Sequence, residues 1–274
     1  MLLIDSHIHV GQYFDRYFSP QDISSLMKAV GVDYYAVSST TMCEENYPKV
    51  LDELHELIRL DGDKMIPIMW ITPEGLKGNI AWFLESDIQW KCLKIHPSLH
   101  PDKWSIKEGM IDEVVDIARE LQVPLLIHTG NEECCHAQIF EPLLMRNPDV
   151  MFILAHGRTI NEAISLAEIY SNAYLDSAFM PIPDMQQIIS HGLSHKLLWG
   201  TDMCIPAHFY PNADMRVYYT WHLNELSKIC SAAEYERITY HNACKIFNIN
   251  TNLKHMAYYF SASRVTGGNA VFPD

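Results

Sequence analysis

The chain opens on Leu2-Leu3-Ile4-Asp5-Ser6-His7-Ile8-His9, an apolar run that delivers two histidines two positions apart. On a β-strand, side chains at i and i+2 share a face and stand roughly 6.5–7 Å apart. Two imidazoles at that spacing can lean onto one metal ion, with bonds near ~2.1 Å. Four more apolar runs end in polar residues at the same relative place. They give Lys94-Ile95-His96-Pro97, Ile127-His128-Thr129-Gly130, Ala155-His156-Gly157 and Gly200-Thr201-Asp202. A His-x-His in a surface turn is ordinary, and so is one hydrogen-bonded core histidine. The same polar ending on five apolar runs is not what fourteen scattered histidines produce.

Each of these residues has a chemical use. His7, His9 and His128 offer three neutral nitrogen ligands, and Asp202 offers an oxygen. That mixed set suits one Zn²⁺, with Mn²⁺, Fe²⁺ or Co²⁺ as the other options. A catalytic ion keeps one position for water and lowers its pKa toward ~7. Asp202 is then placed to take the proton, and His156 to polarise a substrate carbonyl or hold the attacking hydroxide. Lys94 and His96 share a strand face, so both can point inward. Lys94 reads either as a contact for a substrate carboxylate or as a structural ion pair. Trp70 and Phe179 follow other strands and read as pocket walls or as ordinary core. Arg158 reads as an anion contact, a helix cap or a partner for a carboxylate. Cys134, Cys135 and His136 form a short run that a second metal could use. Cys204 lies two residues past Asp202, with no activating partner to be assigned.

The elements that must position these residues follow from periodicity. Strand patterns lie at Leu2–Ile4, Tyr34–Val37, Met65–Ile71, Trp90–Ile95, Pro124–Ile127, Val150–Ala155, Ala173–Asp176 and Lys196–Trp199. Helical spacing lies between them, over Pro20–Val30, Asn46–Leu60, Gly75–Leu84, Ile106–Leu121, Ala137–Met145, Thr159–Tyr170 and Pro183–Ser190. Two closing helices are expected at Met215–Cys230 and Ala233–Phe247, and the aromatic stretch from Gly11 to Ser19 reads as a loop. Strands alternating with helices indicate parallel βαβ units. Eight of them over about 250 residues fit an α/β (β/α)8 TIM barrel better than an open sheet. The expected division is a barrel over 1–248 and a tail over 249–274.

Composition narrows the function classes. The chain has 274 residues, 48% hydrophobic and 20% charged, with a formal net charge of −14. That charge argues against nucleic acid or an anionic membrane as partner. No apolar run approaches the ~18–20 residues of a membrane span. The first apolar run has no basic region before it, so no secretory signal is expected. Seven cysteines without a CxxC pair read as reduced thiols, which points to the cytoplasm. The expected partner is a small-molecule substrate, with a homodimer as one possible assembly.

The quoted motifs, together with the late Tyr240-His241-Asn242-Ala243-Cys244-Lys245-Ile246-Phe247, resemble the amidohydrolase superfamily. Within it, they resemble the branch that contains aminocarboxymuconate-semialdehyde decarboxylase. The resemblance spans residues 2 to about 248. It implies that His7, His9, His128 and Asp202 hold the metal, that His156 is catalytic, and that the closing helix is Tyr240–Phe247. It adds another option for Lys94, since two-metal members carry a carboxylated, bridging lysine at the end of strand 4. The expected activity is hydrolysis of a small amide, ester or lactone, with a carboxylate on the substrate. The alternative is metal-dependent, non-oxidative decarboxylation of an unsaturated or aromatic carboxylate. A metal-binding protein without catalysis is a third class.

Overall fold

All eight predicted strand positions carry a strand in the computed structural model, which describes residues 2–99, 104 and 110–249. The strands are β1 (Ile4–Tyr13), β2 (Arg16–Phe18), β3 (Tyr34–Ser39), β4 (Met65–Trp70), β5 (Cys92–Ile95), β6 (Leu125–His128), β7 (Phe152–Ala155), β8 (Ala173–Asp176) and β9 (Leu197–Leu198). From β1 through β3 to β9, each pairs in parallel with the next. The sheet then closes on itself. The Ser6 N–H donates to the Trp199 carbonyl at 2.9 Å, and the Asp202 N–H to the His7 carbonyl at 2.9 Å. Ile8 bridges Met203 in parallel just beyond. Eight parallel strands closed in this way, with helices outside, make a (β/α)8 barrel.

The interior follows from alternation along each strand. Ile4, Ala36, Ile68, Cys92, Leu126, Ile153, Tyr174 and Leu198 belong to one buried cluster, stoppered by Tyr240, Ala243, Ile246 and Phe247 of the closing segment. Their alternating neighbours Leu93, Leu125, Phe152 and Leu197 pack outward against the helices. Two residues further along the inner face stand Ser38 after Ala36, Trp70 after Ile68, Lys94 after Cys92, His128 after Leu126 and Asp176 after Tyr174. Local signals fix the helix limits. Over Pro20–Val30, Ser19 accepts from the Asp22 N–H at 3.1 Å while Asp22 accepts from the Ser19 N–H at 3.3 Å. Gly31 ends that helix at φ 74°.

Several expectations need correction. The stretch expected as a loop is a hairpin, in which β2 pairs antiparallel with the end of β1 in the register Gln12↔Tyr17. Gly11 makes room for it. At φ +98°, a Cβ there would lie 2.5 Å from Thr41 Oγ1 and 2.6 Å from Glu53 Oε2. The segment expected as a helix over 75–84 opens with a wide turn, Gly75–Asn79, before Ile80–Leu84, because two glycines weaken its first turn. The helix expected from Ala137 starts as a tight turn, and regular helix begins at Glu141 with Pro142 in its first turn. An additional short helix, Ile205–Phe209, follows β9. The second closing helix divides into Ala232–Glu236, a wide turn, and Asn242–Ile246. The helix expected from Ile106 is described from Met110 to Leu121. Its first residues, and the tail from 250 onward, lie outside the described residues.

Candidate metal centre

His7 and His9 leave β1 on its inner face, and their protons are fixed from behind. His7 Nδ1 donates to Asp176 Oδ2 at 2.8 Å. Asp176 is itself fixed, since its Oδ1 accepts from the backbone N–H of His156 at 3.0 Å and of Ala178 at 2.9 Å. His9 Nδ1 lies 3.3 Å from the Ser38 carbonyl, which can only accept. Both rings are neutral. Burial first, and the Lys94 charge second, lower His9 to about 4 and hold His7 well below the ordinary imidazole range. Each Nε2 therefore carries a free lone pair, and both point at the same place.

Two groups already stand there. Asp202 Oδ1 lies 3.1 Å from His9 Nε2 and 3.7 Å from His7 Nε2. Burial pushes the Asp202 carboxyl up, but the basic groups that surround it outweigh that and hold it below the usual range. Two nitrogen lone pairs facing a carboxylate oxygen repel unless a cation lies between them. In a tetrahedral shell with bonds of about 2.1 Å, neighbouring ligand atoms stand about 3.4 Å apart, and the observed 3.1 and 3.7 Å bracket that. The donor set thus fits a divalent ion. Lys94 Nζ lies beside the two rings, 2.9 Å from His7 Nε2, 3.2 Å from His9 Nε2 and 4.4 Å above the Trp70 ring. Burial lowers Lys94 to about 8, against the pull of Asp202 and Asp176.

The remaining expected residues line up beside this triad. His156 Nδ1 donates to the Ala178 carbonyl at 2.7 Å, and its Nε2 meets His128 Nδ1 at 3.1 Å. His128 stacks on His96 with ring centres 3.6 Å apart, and His96 stacks on Trp70 at 5.7 Å. His128 is thus held between the rings of His156 and His96. Among the described residues, two metal-capable groups share His7: His7, His9 and Asp202, and His7, His156 and Asp176, the second already tied up by the His7–Asp176 hydrogen bond. Arg158 lies on the cavity wall, with Nη2 donating to the Phe179 carbonyl at 3.2 Å. Cys204 is buried, which pushes its thiol up and away from thiolate character. The cavity above the triad holds about 520 Å³, and Tyr13, Phe14, Phe179 and Phe209 contribute to its walls.

Two features were hidden in the sequence. Asp176 orients His7, and its only signal is a carboxylate at the end of a strand. His156 and Asp202 hold left-handed backbone, at φ 66° and 59°, which non-glycine residues adopt at a cost of about 1–3 kcal/mol. Buried Asp5 fixes the seam between β1 and β9. It accepts from Thr201 Oγ1 at 2.6 Å, from the Thr201 N–H at 3.1 Å and from the Tyr219 hydroxyl at 2.7 Å.

A parallel barrel with histidines and an aspartate converging at the carboxyl ends of its strands defines a metal-dependent barrel enzyme. The family model described as amidohydrolase matches residues 4–249. The chain belongs to that family and is a metal-dependent enzyme of its kind. Comparison with curated protein sequences gives no match. Among solved structures, an uncharacterised TIM-barrel protein from Bordetella bronchiseptica is similar at TM-score 0.69 and 16% identity, covering 90% of this chain and 99% of that one. A probable 2-pyrone-4,6-dicarboxylic acid hydrolase from Acinetobacter baumannii gives 0.64 and 13%, covering 91% and 100%. A 5-carboxyvanillate decarboxylase from Sphingomonas paucimobilis gives 0.62 and 14%, covering 91% and 99%. At these identities the likeness concerns the fold. Among the described residues, no helix is long and apolar enough to cross a membrane.

Proposed function

We propose that the protein hydrolyses a small, carboxylate-bearing amide, ester or lactone, with His7, His9 and Asp202 holding one divalent ion, best matched by Zn²⁺. The observation that carries this is the convergence of two fixed lone pairs and an ionised carboxylate on one point. A divalent ion bound there supplies a Lewis acid that polarises an oxygen and makes water acidic near neutral pH. The rest of the work falls to the chain. Asp202 is ionised and has a second oxygen with which to take a proton. His156 faces the cavity with a ring whose orientation the Ala178 carbonyl fixes, so it can act on the substrate carbonyl or the leaving group. Lys94 is buried against His7 and His9, so Arg158 at the wall is the better partner for a substrate acid group. His96 and Trp70 present stacked flat faces along the wall, which suits a planar substrate.

Those flat walls also support a second reading, non-oxidative decarboxylation of an unsaturated or aromatic acid at the same ion. One assay separates the two. Metal-loaded protein is screened against carboxylated lactones, esters and amides and against aromatic acids, with CO₂ release recorded. Hydrolysis without CO₂ is the expected result, and CO₂ release from an intact acid replaces the first reading with the second. In either case His156→Asn should keep the ion and lose turnover by roughly 10²–10⁴-fold. Asparagine tolerates the left-handed backbone at this position, so loss of the ion in that variant would make His156 a ligand.

A further inference from the structure

The helix Met215–Ile229 has two apolar sides. Its buried side carries Tyr219, His222 and Leu226, at the spacing of one helix face. Its outer side carries Val217 and Trp221, four residues apart, which are 65% and 48% exposed. Tyr210, just ahead of the helix, is 61% exposed. Val217 and Trp221 form a ridge with a groove on each side. One groove, of about 420 Å³, is largely apolar and is also lined by Pro206, Tyr210, Met215 and Tyr218. The other, of about 560 Å³, is also lined by Thr220, Asn224 and Ser227. A ridge of residues four apart with grooves beside it is the surface with which one helix packs on another.

The charges at its ends say what fits there. Asp214 stands seven residues before Trp221, and Lys228 stands seven residues after it. Seven residues are almost two turns, so both charges share the ridge's face, each about 10 Å from Trp221 along the axis. Where two identical helices cross antiparallel at Trp221, positions equally far from the crossing meet. Asp214 then faces the partner's Lys228, and symmetry makes the same pair twice. A parallel crossing would instead set Asp214 against the partner's Asp214. Within one chain, Asp214 pairs with Arg216 at 2.6 Å and Lys228 with Glu225 at 2.6 Å. Such exposed pairs are weak and leave the charges free to be shared. An anionic lipid surface is opposed by the net charge of −14.

We infer that this face is the contact between two copies of the chain, crossing antiparallel at Trp221. An interface of standard size takes about 800 Å² from each partner. The grooves on both sides of the ridge, with Tyr210 at one end, carry the contact beyond the single helix. The aromatic and aliphatic surface falls at the centre and the charges at the rim, as in stable interfaces. Repulsion between two chains of −14 is screened beyond about 8 Å at physiological salt.

Sedimentation velocity of the full chain at micromolar concentration tests this. The expected species has twice the chain mass. Trp221 is exposed, so Trp221→Ala should keep its unfolding midpoint and weaken the dimer roughly 10³-fold, as loss of a central aromatic from both copies does. Asp214→Lys and Lys228→Glu each place like charges together at both ends of the contact, and each should weaken the dimer roughly 10-fold. An equimolar mixture of those two variants should recover the original affinity, because each offers the charge the other now needs. A misfolded variant could not be rescued in this way. A monomeric chain overturns the inference, and so does a dimer that survives Trp221→Ala or a mixture that stays weak. A monomer with crosslinks between Lys228 and Lys254 would overturn it by giving the face to residues 250–274 of the same chain.

Discussion

Two layers of the barrel interior share their strands and differ in nearly everything else. The lower layer holds Cys92, Leu126 and Tyr174, packed against Ile246 and Phe247. The upper layer, two residues and about 7 Å further along the same faces, holds Lys94, His128 and Asp176. The lower layer gains free energy by burying apolar surface. The upper layer takes titratable groups out of water, and that is tolerable only because each is paired. His7 pairs with Asp176, His9 meets Asp202, and Lys94 meets the Nε2 atoms of His7 and His9. One half of the interior therefore supplies stability, and the other half spends it to hold two lone pairs and a carboxylate in one place.

The strongest way to break this contrast is to cut each layer once. His9→Ala should lower kcat/KM by roughly 10⁴-fold, about the several kcal/mol a lost Lewis acid is worth. Its stability without metal should be unchanged or higher. Leu126→Ala, on the layer below, should lose about 2–5 kcal/mol in denaturant unfolding while metal content holds. A Leu126→Ala protein of normal stability that has lost its ion would erase the division between layers.

A titratable group buried away from the centre sharpens the same point. His222 is buried behind the barrel wall, where its Nδ1 accepts from the Trp199 indole N–H at 2.8 Å. Burial lowers its pKa to about 4. The neutral form is favoured in the fold, so this stabilisation is complete above about pH 6.5 and is lost as pH falls toward 4. The shift corresponds to about 3 kcal/mol. His222→Gln should flatten the pH dependence of unfolding in that window and leave kcat untouched. A kcat that falls with it would tie this residue to the chemistry.

The smallest expected effect is on orientation. Asp176→Asn keeps an acceptor for His7 Nδ1 but removes the charge. Ion affinity should fall roughly 10–100-fold, read by competition with a chelator, with His9→Ala as the reference for full loss. An unchanged affinity would reduce Asp176 to a structural partner of the His156 and Ala178 backbone.

Much of this was legible in the residues. Apolar runs of strand length, each ending in a polar residue, gave the barrel and placed His7, His9, His156, Lys94 and Asp202 at one end. The hairpin was not legible, because three residues of β2 carry too short a pattern to separate from a loop. Asp176 was passed over because a carboxylate after a strand reads as a turn residue until His7 is seen behind it. The left-handed backbone of His156 and Asp202 leaves no mark in composition.

The central claim is that one ion sits between His7, His9 and Asp202. Anomalous diffraction at the zinc edge from zinc-loaded crystals tests it most directly. The account predicts a peak about 2.0–2.2 Å from the Nε2 atoms of His7 and His9 and from a carboxylate oxygen of Asp202, with Lys94 Nζ no longer in contact with those two nitrogens. Full zinc occupancy elsewhere, with Lys94 Nζ still between the two imidazoles, would contradict it.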